Sequence, residues 1–163
     1  MTTTADTSTA AARYSVAEVA PDLYKAQIHM ENTIRRSGID SILYELIKIR
    51  ASQLNGCAYC LDMHTQDAKV LGETDQRLHL LAAWREAPFY SERERAALAL
   101  TEAVTLIAAH HVPDDVYAEA SRVFTPTEIG AVIMAIVVIN GWNRIAIASG
   151  SQAGTYSPAD RHS

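Results

Sequence analysis

The chain is short of the features that mark nucleic-acid-binding, membrane-spanning and disulfide-stapled proteins. Its 163 residues carry a formal net charge of -5, which provides no basic surface for a nucleic-acid partner. The longest apolar run, residues 131–139, is about half as long as a bilayer crossing requires, so we expect no membrane association. Only two cysteines are present, and a chain of this length can bury a core without disulfide staples.

The N-terminal segment also lacks the pattern of a secretory leader, because it has neither a basic start nor an apolar core. We therefore expect a cytoplasmic protein, whose close pair of cysteines is more often catalytic or metal-binding than structural. No repeat of fixed period and no linker divides the chain. We predict a single domain over residues 15–155, preceded by a disordered tail over 1–14 and followed by a short tail over 156–163.

Strand signals are scarce, whereas helical patterns recur along the whole chain, which predicts an all-α fold. Asp40 or Ser41 is a candidate N-cap for a helix that ends at Gly56. Ser91 with Glu94 forms the capping-box signature of another helix. Together these patterns predict helices over residues 22–36, 41–55, 57–72, 74–87, 91–107, 113–122 and 125–148.

The last predicted helix contains a run of β-branched residues, 133–139, that by itself could be a buried strand. Its start at Thr125-Pro126-Thr127-Glu128 and its continuation to Ile147 favour a helix. Because this helix is apolar nearly all round, we expect it to be buried by neighbouring helices or by another subunit.

One segment holds both cysteines and a histidine: Asn55-Gly56-Cys57-Ala58-Tyr59-Cys60-Leu61-Asp62-Met63-His64. If it is helical after Gly56, Cys57, Cys60 and His64 share a stripe about 60° wide. Two sulfurs near enough to form a disulfide, beside a base, are what thiol redox chemistry needs. A histidine with a pKa near neutrality suits the removal of a thiol proton.

A zinc site is the main alternative for a cysteine pair of this spacing. Cys57 and His64 would lie about 10 Å apart along a helix axis, too far for both to bind one ion through bonds of about 2 Å. Other ligands, such as Glu45 or His79, have no pattern to recommend them. We therefore predict no metal and no bound cofactor, since the thiols can carry the electrons themselves.

Glu45 lies on the preceding predicted helix and has two possible roles. If the Asn55-Gly56 turn folds the two helices into a hairpin, its carboxylate could reach His64, fix the tautomer and raise the basicity of the ring. It could instead form a surface ion pair with Lys48 or Arg50, which would contribute little. The spacing does not decide between these roles.

These residues resemble the core of the AhpD-like alkylhydroperoxidase branch of the carboxymuconolactone decarboxylase family. The likeness covers Glu45, the segment 50–60 and His64, and it continues through residues 94–99 and 140–144. It implies an all-helical subunit that assembles into a trimer or hexamer, with the redox site in a pocket near subunit contacts. It also implies hydroperoxide reduction, in which Cys60 is attacked by peroxide, Cys57 resolves the product as a disulfide, and Glu45 and His64 relay protons.

The resemblance further implies that a dithiol partner, such as a lipoylated or thioredoxin-like protein, reduces the disulfide again. One position departs from the family pattern: many family peroxidases have histidine directly before the second cysteine, where this chain has Tyr59, a poor base near neutral pH. The order of the thiols stays open. A place at the helix start favours Cys57 as the more acidic thiol, whereas contact with His64 favours Cys60.

Two other functions remain as alternatives. The lactone decarboxylase activity that gives the wider family its name does not need a thiol pair, so the cysteine spacing argues against it. A non-catalytic oligomer or a redox sensor would form a reversible disulfide without turning over peroxide. We expect Tyr24, Trp84, Trp142, Asn143 and Arg144 to make packing or subunit contacts.

Overall fold

The computed structural model describes residues 12–161, and the predicted N-terminal tail lies mostly outside this range. Over the described residues the chain is helical and contains no strand, so the all-α prediction is confirmed. The helices are α1 (Val16–Val19), α2 (Pro21–Arg35), α3 (Ser41–Asn55), α4 (Ala58–Val70), α5 (Asp75–Leu80), α6 (Glu92–Thr105), α7 (Ile107–His110), α8 (Asp114–Val123) and α9 (Pro126–Ser149), with 3-10 turns at Leu81–Ala83 and Pro158–Arg161.

The helix ends follow the capping signals in the sequence. The Asp40 side chain accepts a hydrogen bond from the Leu43 backbone N–H at 2.8 Å and so caps α3. Gly56 then ends α3 in the left-handed region, at φ 69°, where glycine has no Cβ penalty. Capping boxes begin α6 at Ser91 and α9 at Thr125.

Two predicted helices have different limits in the structure. Cys57 is the N-cap of α4 and has an extended backbone, so the helix begins at Ala58 and Cys57 does not lie on the predicted helical stripe. The fourth predicted helix is shorter than expected: α5 ends at Leu80, and a 3-10 turn follows. This turn brings Leu81 and Trp84 into the core, where both are buried. Tertiary packing therefore overrides the continuous helical pattern.

The core lies around α3, which packs against α4, α6 and α9. Apolar residues from α3, α6 and α9 are fully buried there, for example Ile47, Ala96 and Ile136. Because α3 is covered on several sides, its polar residues Glu45 and Lys48 are buried as well. Burying such groups is costly unless they are paired, so their partners indicate where the chemistry lies.

The apolar helix α9 is buried on part of its surface and exposed on the rest. It is 24 residues long and, by length and composition, apolar enough to cross a membrane, although no uninterrupted run reaches that length. Of its most apolar 18-residue window, 39% is buried within the chain, including Val132 and Ile139. Met134 and Val137 are exposed in the single chain, so their burial by another subunit stays a prediction.

Both segments that flank the helical body contact it. The Arg13 backbone N–H donates to the carbonyl of Ser149, at the end of α9, at 2.8 Å. At the other end, the Tyr156 hydroxyl donates to Asp67 of α4 at 2.6 Å, and the Gly154 N–H donates to Asp62 at 2.7 Å. Residues of both segments, among them Tyr14 and Thr155, line the same cavity as Cys60 of α4. The predicted domain limits themselves stay a prediction.

Candidate active site

The two cysteines form a disulfide at the start of α4. Cys57 and Cys60 have Cα atoms 5.4 Å apart, and both residues are buried. The turn at Gly56 reverses the chain, so that α3 and α4 pack together as the hairpin that the sequence predicts. The Cys60 backbone N–H donates to the Cys57 sulfur at 3.3 Å, which places this sulfur among the free amides of a helix N-terminus. Such amides stabilise a thiolate.

A cavity of about 460 Å³ lies beside the disulfide. Among the residues that the structure describes, Cys60 and His64 line this cavity and Cys57 does not. Its other walls are mostly aromatic and apolar, with two charged residues. The aromatic residues are Tyr14, Tyr24, Tyr59 and Trp142, and the charged residues are Glu31 and Lys48. The site is thus a concave, largely apolar pocket with a few polar groups, the usual form of a small-molecule site.

Glu45 contacts His64 rather than the surface partners that the sequence also allowed. The His64 Nδ1 atom lies 2.7 Å from Glu45 Oε2, and both side chains are buried. Since a carboxylate can only accept, Nδ1 carries the hydrogen, and Nε2 is the nitrogen left to take up a proton. Lys48 pairs with Glu31 and Arg50 with Glu102. The structure therefore brings together the pair required for a proton relay.

The electrostatics keep Glu45 ionised and His64 neutral. Burial by itself would raise the pKa of Glu45, but the hydrogen bond with His64 and the charges of Lys48 and Arg35 lower that pKa overall. Burial is the main reason that the pKa of His64 is lowered, and Lys48 adds to this effect, while Glu45 opposes it. A neutral imidazole with an ionised partner is the form that can accept a thiol proton near pH 7.

Asp67 completes this group and was missed by the sequence reasoning. It lies three residues after His64 on α4, with Oδ2 3.9 Å from His64 Nδ1. Ligand atoms of Glu45, His64 and Asp67 lie within 4.8 Å of one another, which is the spacing of a cation site. However, Arg35 already binds Glu45 at 3.2 Å, and Tyr156 binds Asp67 at 2.6 Å. These bonds fit a hydrogen-bonded proton relay better than a metal site.

A second charged group lies on the α2 side of the cavity. Lys48 donates to Glu31 Oε1, which also accepts from Arg35 at 3.0 Å, and Trp142 donates its indole N–H to Glu31 Oε2 at 3.1 Å. The Lys48 ammonium lies 4.1 Å from the centre of the Tyr44 ring, within cation–π range. The sequence reasoning placed Lys48 at the surface. Its position three residues after Glu45, on the same face of α3, was the available signal.

Burial sets the pKa of Lys48. It lowers that pKa to about 8, against the opposing charges of Glu45 and Glu31. The pKa of Glu31 is lowered in turn: burial would raise it, but Lys48 and Arg35 more than compensate. At neutral pH this group therefore contains an ionised carboxylate and a protonated lysine whose proton is held less tightly than in an ordinary lysine.

Three residues that we expected to serve packing have more specific positions. Tyr24 and Trp142 contact each other edge to face, with ring centres 5.2 Å apart, and both line the cavity. Asn143 is fully buried and ties α9 to the end of α3: it donates to Ser52 Oγ at 2.9 Å and accepts from Asn55 at 2.8 Å. These contacts fix the helix that carries Trp142 against the helix that carries Glu45 and Lys48.

Comparisons with known proteins agree with this arrangement. The model of the carboxymuconolactone decarboxylase family matches residues 21–103, which include both cysteines and the Glu45–His64 pair. The chain is 46% identical over 143 residues to the uncharacterized protein YdfG of Bacillus subtilis (strain 168), covering 88% of this chain and 97% of that protein.

Solved structures share the fold. A protein of unknown function from Agrobacterium tumefaciens, described as a candidate antioxidant defence protein AhpD, is similar with a TM-score of 0.86 and 40% identity, over 90% of this chain and all (100%) of that one. The debrominase Bmp8 is similar with a TM-score of 0.76 and 24% identity, over 89% of this chain and 76% of that one. The likeness to Bmp8 concerns the fold alone.

Proposed function

The chain belongs to the carboxymuconolactone decarboxylase family, and we propose that within this family it is a thiol-dependent peroxidase of the AhpD-like type. One observation carries the proposal: a cysteine pair that forms a disulfide has one member, Cys60, in the wall of a cavity that His64 also lines, and His64 is paired behind that wall with the buried Glu45. This combines an oxidisable sulfur, a resolving sulfur and a base at one site.

The proposed cycle begins with the reduced protein. His64 takes the thiol proton of Cys60, and Glu45 stabilises the resulting imidazolium. The thiolate attacks the outer oxygen of the hydroperoxide, so that an S–O bond forms and the O–O bond breaks. The alkoxide takes up a proton and leaves as the alcohol, and this proton is supplied in net by the imidazolium of His64, which becomes neutral again. Cys60 is then a sulfenic acid. The Cys57 thiol attacks its sulfur, water leaves, and the disulfide forms.

The cavity also supports the order of the two cysteines that we propose. Cys60 lines the space that a substrate would enter, and Cys57 lies beside it at the N-cap of α4. The attacked sulfur must be reached by peroxide, whereas the resolving sulfur needs only to reach its neighbour. Tyr59 also lines the cavity, and burial raises the pKa of its hydroxyl. It can therefore donate a hydrogen bond but leaves the role of base to His64.

The shape of the cavity favours organic hydroperoxides and a slender reductant. Its aromatic walls can pack against a hydrocarbon group that hydrogen peroxide lacks. Both sulfurs are almost fully buried, so a reductant has to reach Cys60 through the cavity. A lipoyl arm of a lipoylated protein would fit this path better than a thioredoxin-like protein surface. A trimeric or hexameric assembly, and a place in the reducing cytoplasm, complete the proposal.

A thiol titration tests this function. The reduced protein is treated with one equivalent of an organic hydroperoxide, and free thiols are counted before and after. We expect the wild type to lose two thiols per chain, Cys57→Ser to accumulate a sulfenic acid at Cys60, and Cys60→Ser to stay reduced. With a supplied dithiol, the wild type should consume peroxide faster than Cys60→Ser. Unchanged thiols in the wild type would contradict the proposal.

The same variants separate the two alternatives. A lactone decarboxylase would lose activity in Glu45→Ala and be indifferent to replacement of either cysteine. A redox sensor would form the disulfide reversibly in the wild type without turning over peroxide when a dithiol is supplied.

A further inference from the structure

We propose that Lys48 is the acid of the peroxide-cleavage step: it protonates the alkoxide that leaves when the O–O bond breaks, while His64 holds the proton of the Cys60 thiol. This inference rests on the peroxidase function proposed above and assigns a second proton-transfer group to the same cavity.

The geometry places Lys48 where such an acid is needed. It lies one helical turn after Glu45, so both side chains leave α3 on the same face. Lys48 lines the cavity together with Cys60 and His64. Its side chain is only 1% exposed, so the ammonium group is shielded from bulk water and is surrounded by groups of the site.

Helices α2, α3 and α4 contribute the charged and titratable groups that act on Lys48. The groups concerned are Glu31 and Arg35 from α2, Tyr44 and Glu45 from α3, and His64 from α4, with the Trp142 indole of α9 acting through Glu31. With His64 neutral, the carboxylates of Glu31 and Glu45 balance the charges of Lys48 and Arg35. When the O–O bond breaks, the negative charge of the Cys60 thiolate passes to an alkoxide, a far stronger base, in this poorly hydrated space. Transfer of the Lys48 proton removes that charge as it develops.

A purely structural ion pair explains Lys48 less well. Arg35 already binds the two carboxylates that act on Lys48, Glu31 at 3.0 Å and Glu45 at 3.2 Å. Taking a further ammonium group out of water is costly. A structural role would be filled by an arginine, which holds its proton tightly, or by an apolar side chain, which has no proton to lose. A lysine with a pKa near 8 is charged at neutral pH and still donates readily, and His64 is neutral under the same conditions. Paired groups of this kind divide acid and base work.

The step is balanced in atoms and charge. The Cys60 thiol gives its proton to His64, and the thiolate forms the S–O bond as the O–O bond breaks. The alkoxide takes a proton from the Lys48 ammonium and leaves as the alcohol. The imidazolium of His64 then returns a proton to the Lys48 amine. The sum is thiol plus hydroperoxide giving sulfenic acid plus alcohol, with both proton carriers restored.

Three electrophiles with different leaving groups test this role in the Cys57→Ser background, where Cys60 is the single thiol. Iodoacetamide releases iodide and peracetic acid releases acetate, and neither anion needs a proton. An alkyl hydroperoxide such as tert-butyl hydroperoxide releases an alkoxide, which does need one. We expect Lys48→Met to react about 100-fold more slowly with the alkyl hydroperoxide, the lower end of what a general acid contributes. Its rates with iodoacetamide and peracetic acid, measured where Cys60 is fully ionised, should change less than about threefold.

The pH profile gives a second readout. For the alkyl hydroperoxide, the Cys57→Ser parent should lose rate above a pKa near 8, as Lys48 loses its proton. Lys48→Arg keeps the positive charge but holds its proton far more tightly. We expect it to be slow with the alkyl hydroperoxide, normal with peracetic acid, and without the alkaline fall. This variant carries the test if Lys48→Met folds poorly.

Lys69→Met is the matched control. Lys69 is a half-exposed lysine of α4 that pairs with Asp75, and its replacement should leave all three rates unchanged. If both Lys48 variants slow all three electrophiles equally, Lys48 only supports the thiolate, and the inference is overturned. Equal rates in parent and variants with the alkyl hydroperoxide would overturn it as well. A parent protein that is alkylated but oxidised by neither peroxide would instead show that the peroxidase function itself is wrong.

Discussion

Replacement of Glu45 by glutamine is the most direct perturbation of the relay. The amide oxygen can still accept from His64 Nδ1, now 2.7 Å from the carboxylate, so the change removes the charge and little of the shape. Glu45→Gln removes the attraction between the carboxylate and the imidazolium of His64. For two unit charges about 4 Å apart at an effective dielectric constant of about 20, this attraction is at most about 4 kcal/mol. A hydrogen bond to a charged group has a net contribution of about 1.5–3 kcal/mol.

These limits convert to a rate effect. At about 1.4 kcal/mol for each tenfold change, we expect Glu45→Gln to lower kcat/KM for an organic hydroperoxide about 100-fold. The pKa of His64 should fall further in this variant, because Glu45 opposes the effect of burial. The assay is steady-state peroxide consumption with a supplied dithiol, accompanied by thermal unfolding of each protein.

The pH dependence separates loss of the relay from damage to the fold. An ordinary cysteine ionises without help at a pKa of about 8.5, so the deficit of Glu45→Gln should shrink as the pH rises toward that value. Structural damage would leave the deficit constant. Glu102→Gln is the matched control, because Glu102 also binds cations, Arg50 at 2.8 Å and Arg85 at 2.5 Å, away from the cavity. A Glu45→Gln rate within threefold of the wild type would refute the relay.

Two further predictions concern stability. The folded-state pKa of His64 is lowered, so the unfolded chain binds a proton at this residue more tightly than the folded chain does. The stability that this difference contributes should be fully present above a pH of about 6.5 and should fall as the pH drops below that value. The decrease in melting temperature from pH 7.5 to pH 5 should therefore be smaller in His64→Gln. Asn143→Ala removes the hydrogen bond to the buried Ser52 and one of the two that Asn55 donates, the other going to Asn140. It should lower the free energy of unfolding by about 2–3 kcal/mol in urea titrations, whereas Asn32→Ala, at an exposed position, should change it by less than about 0.5 kcal/mol.

Local signals explain why much of the fold was predictable. The N-cap at Asp40 and the capping boxes at Ser91 and Thr125 depend on residues within one helical turn, and all three begin helices in the structure. The Gly56 turn is equally local, and it creates the α3–α4 hairpin that brings Glu45 to His64. The first residue of α4 was harder to predict, because Cys57 caps this helix through its sulfur and the hydrophobic pattern does not indicate such a cap.

Contacts that depend on helix packing were not predictable in this way. Asp67 and Tyr156 lie 89 residues apart, and Glu31 and Trp142 lie 111 residues apart. Neither pair belongs to a shared periodic pattern. The contact between Asp67 and Tyr156 depends on how the C-terminal segment packs against α4. The contact between Glu31 and Trp142 depends on how α2 packs against α9. A single sequence contains no direct record of those packing choices.

Lys48 shows why the limit matters for function. On sequence alone, a lysine three residues from a glutamate is an ordinary helical ion pair at the surface, with a small energy. The structure buries the same lysine beside Glu31 and moves its pKa toward the working pH. The change results from the burial of α3 by its neighbours, which turns a solvated charge into a proton donor of adjustable strength. The chemical identity of a residue is therefore set by the sequence, but its acidity is set by the helices that cover it.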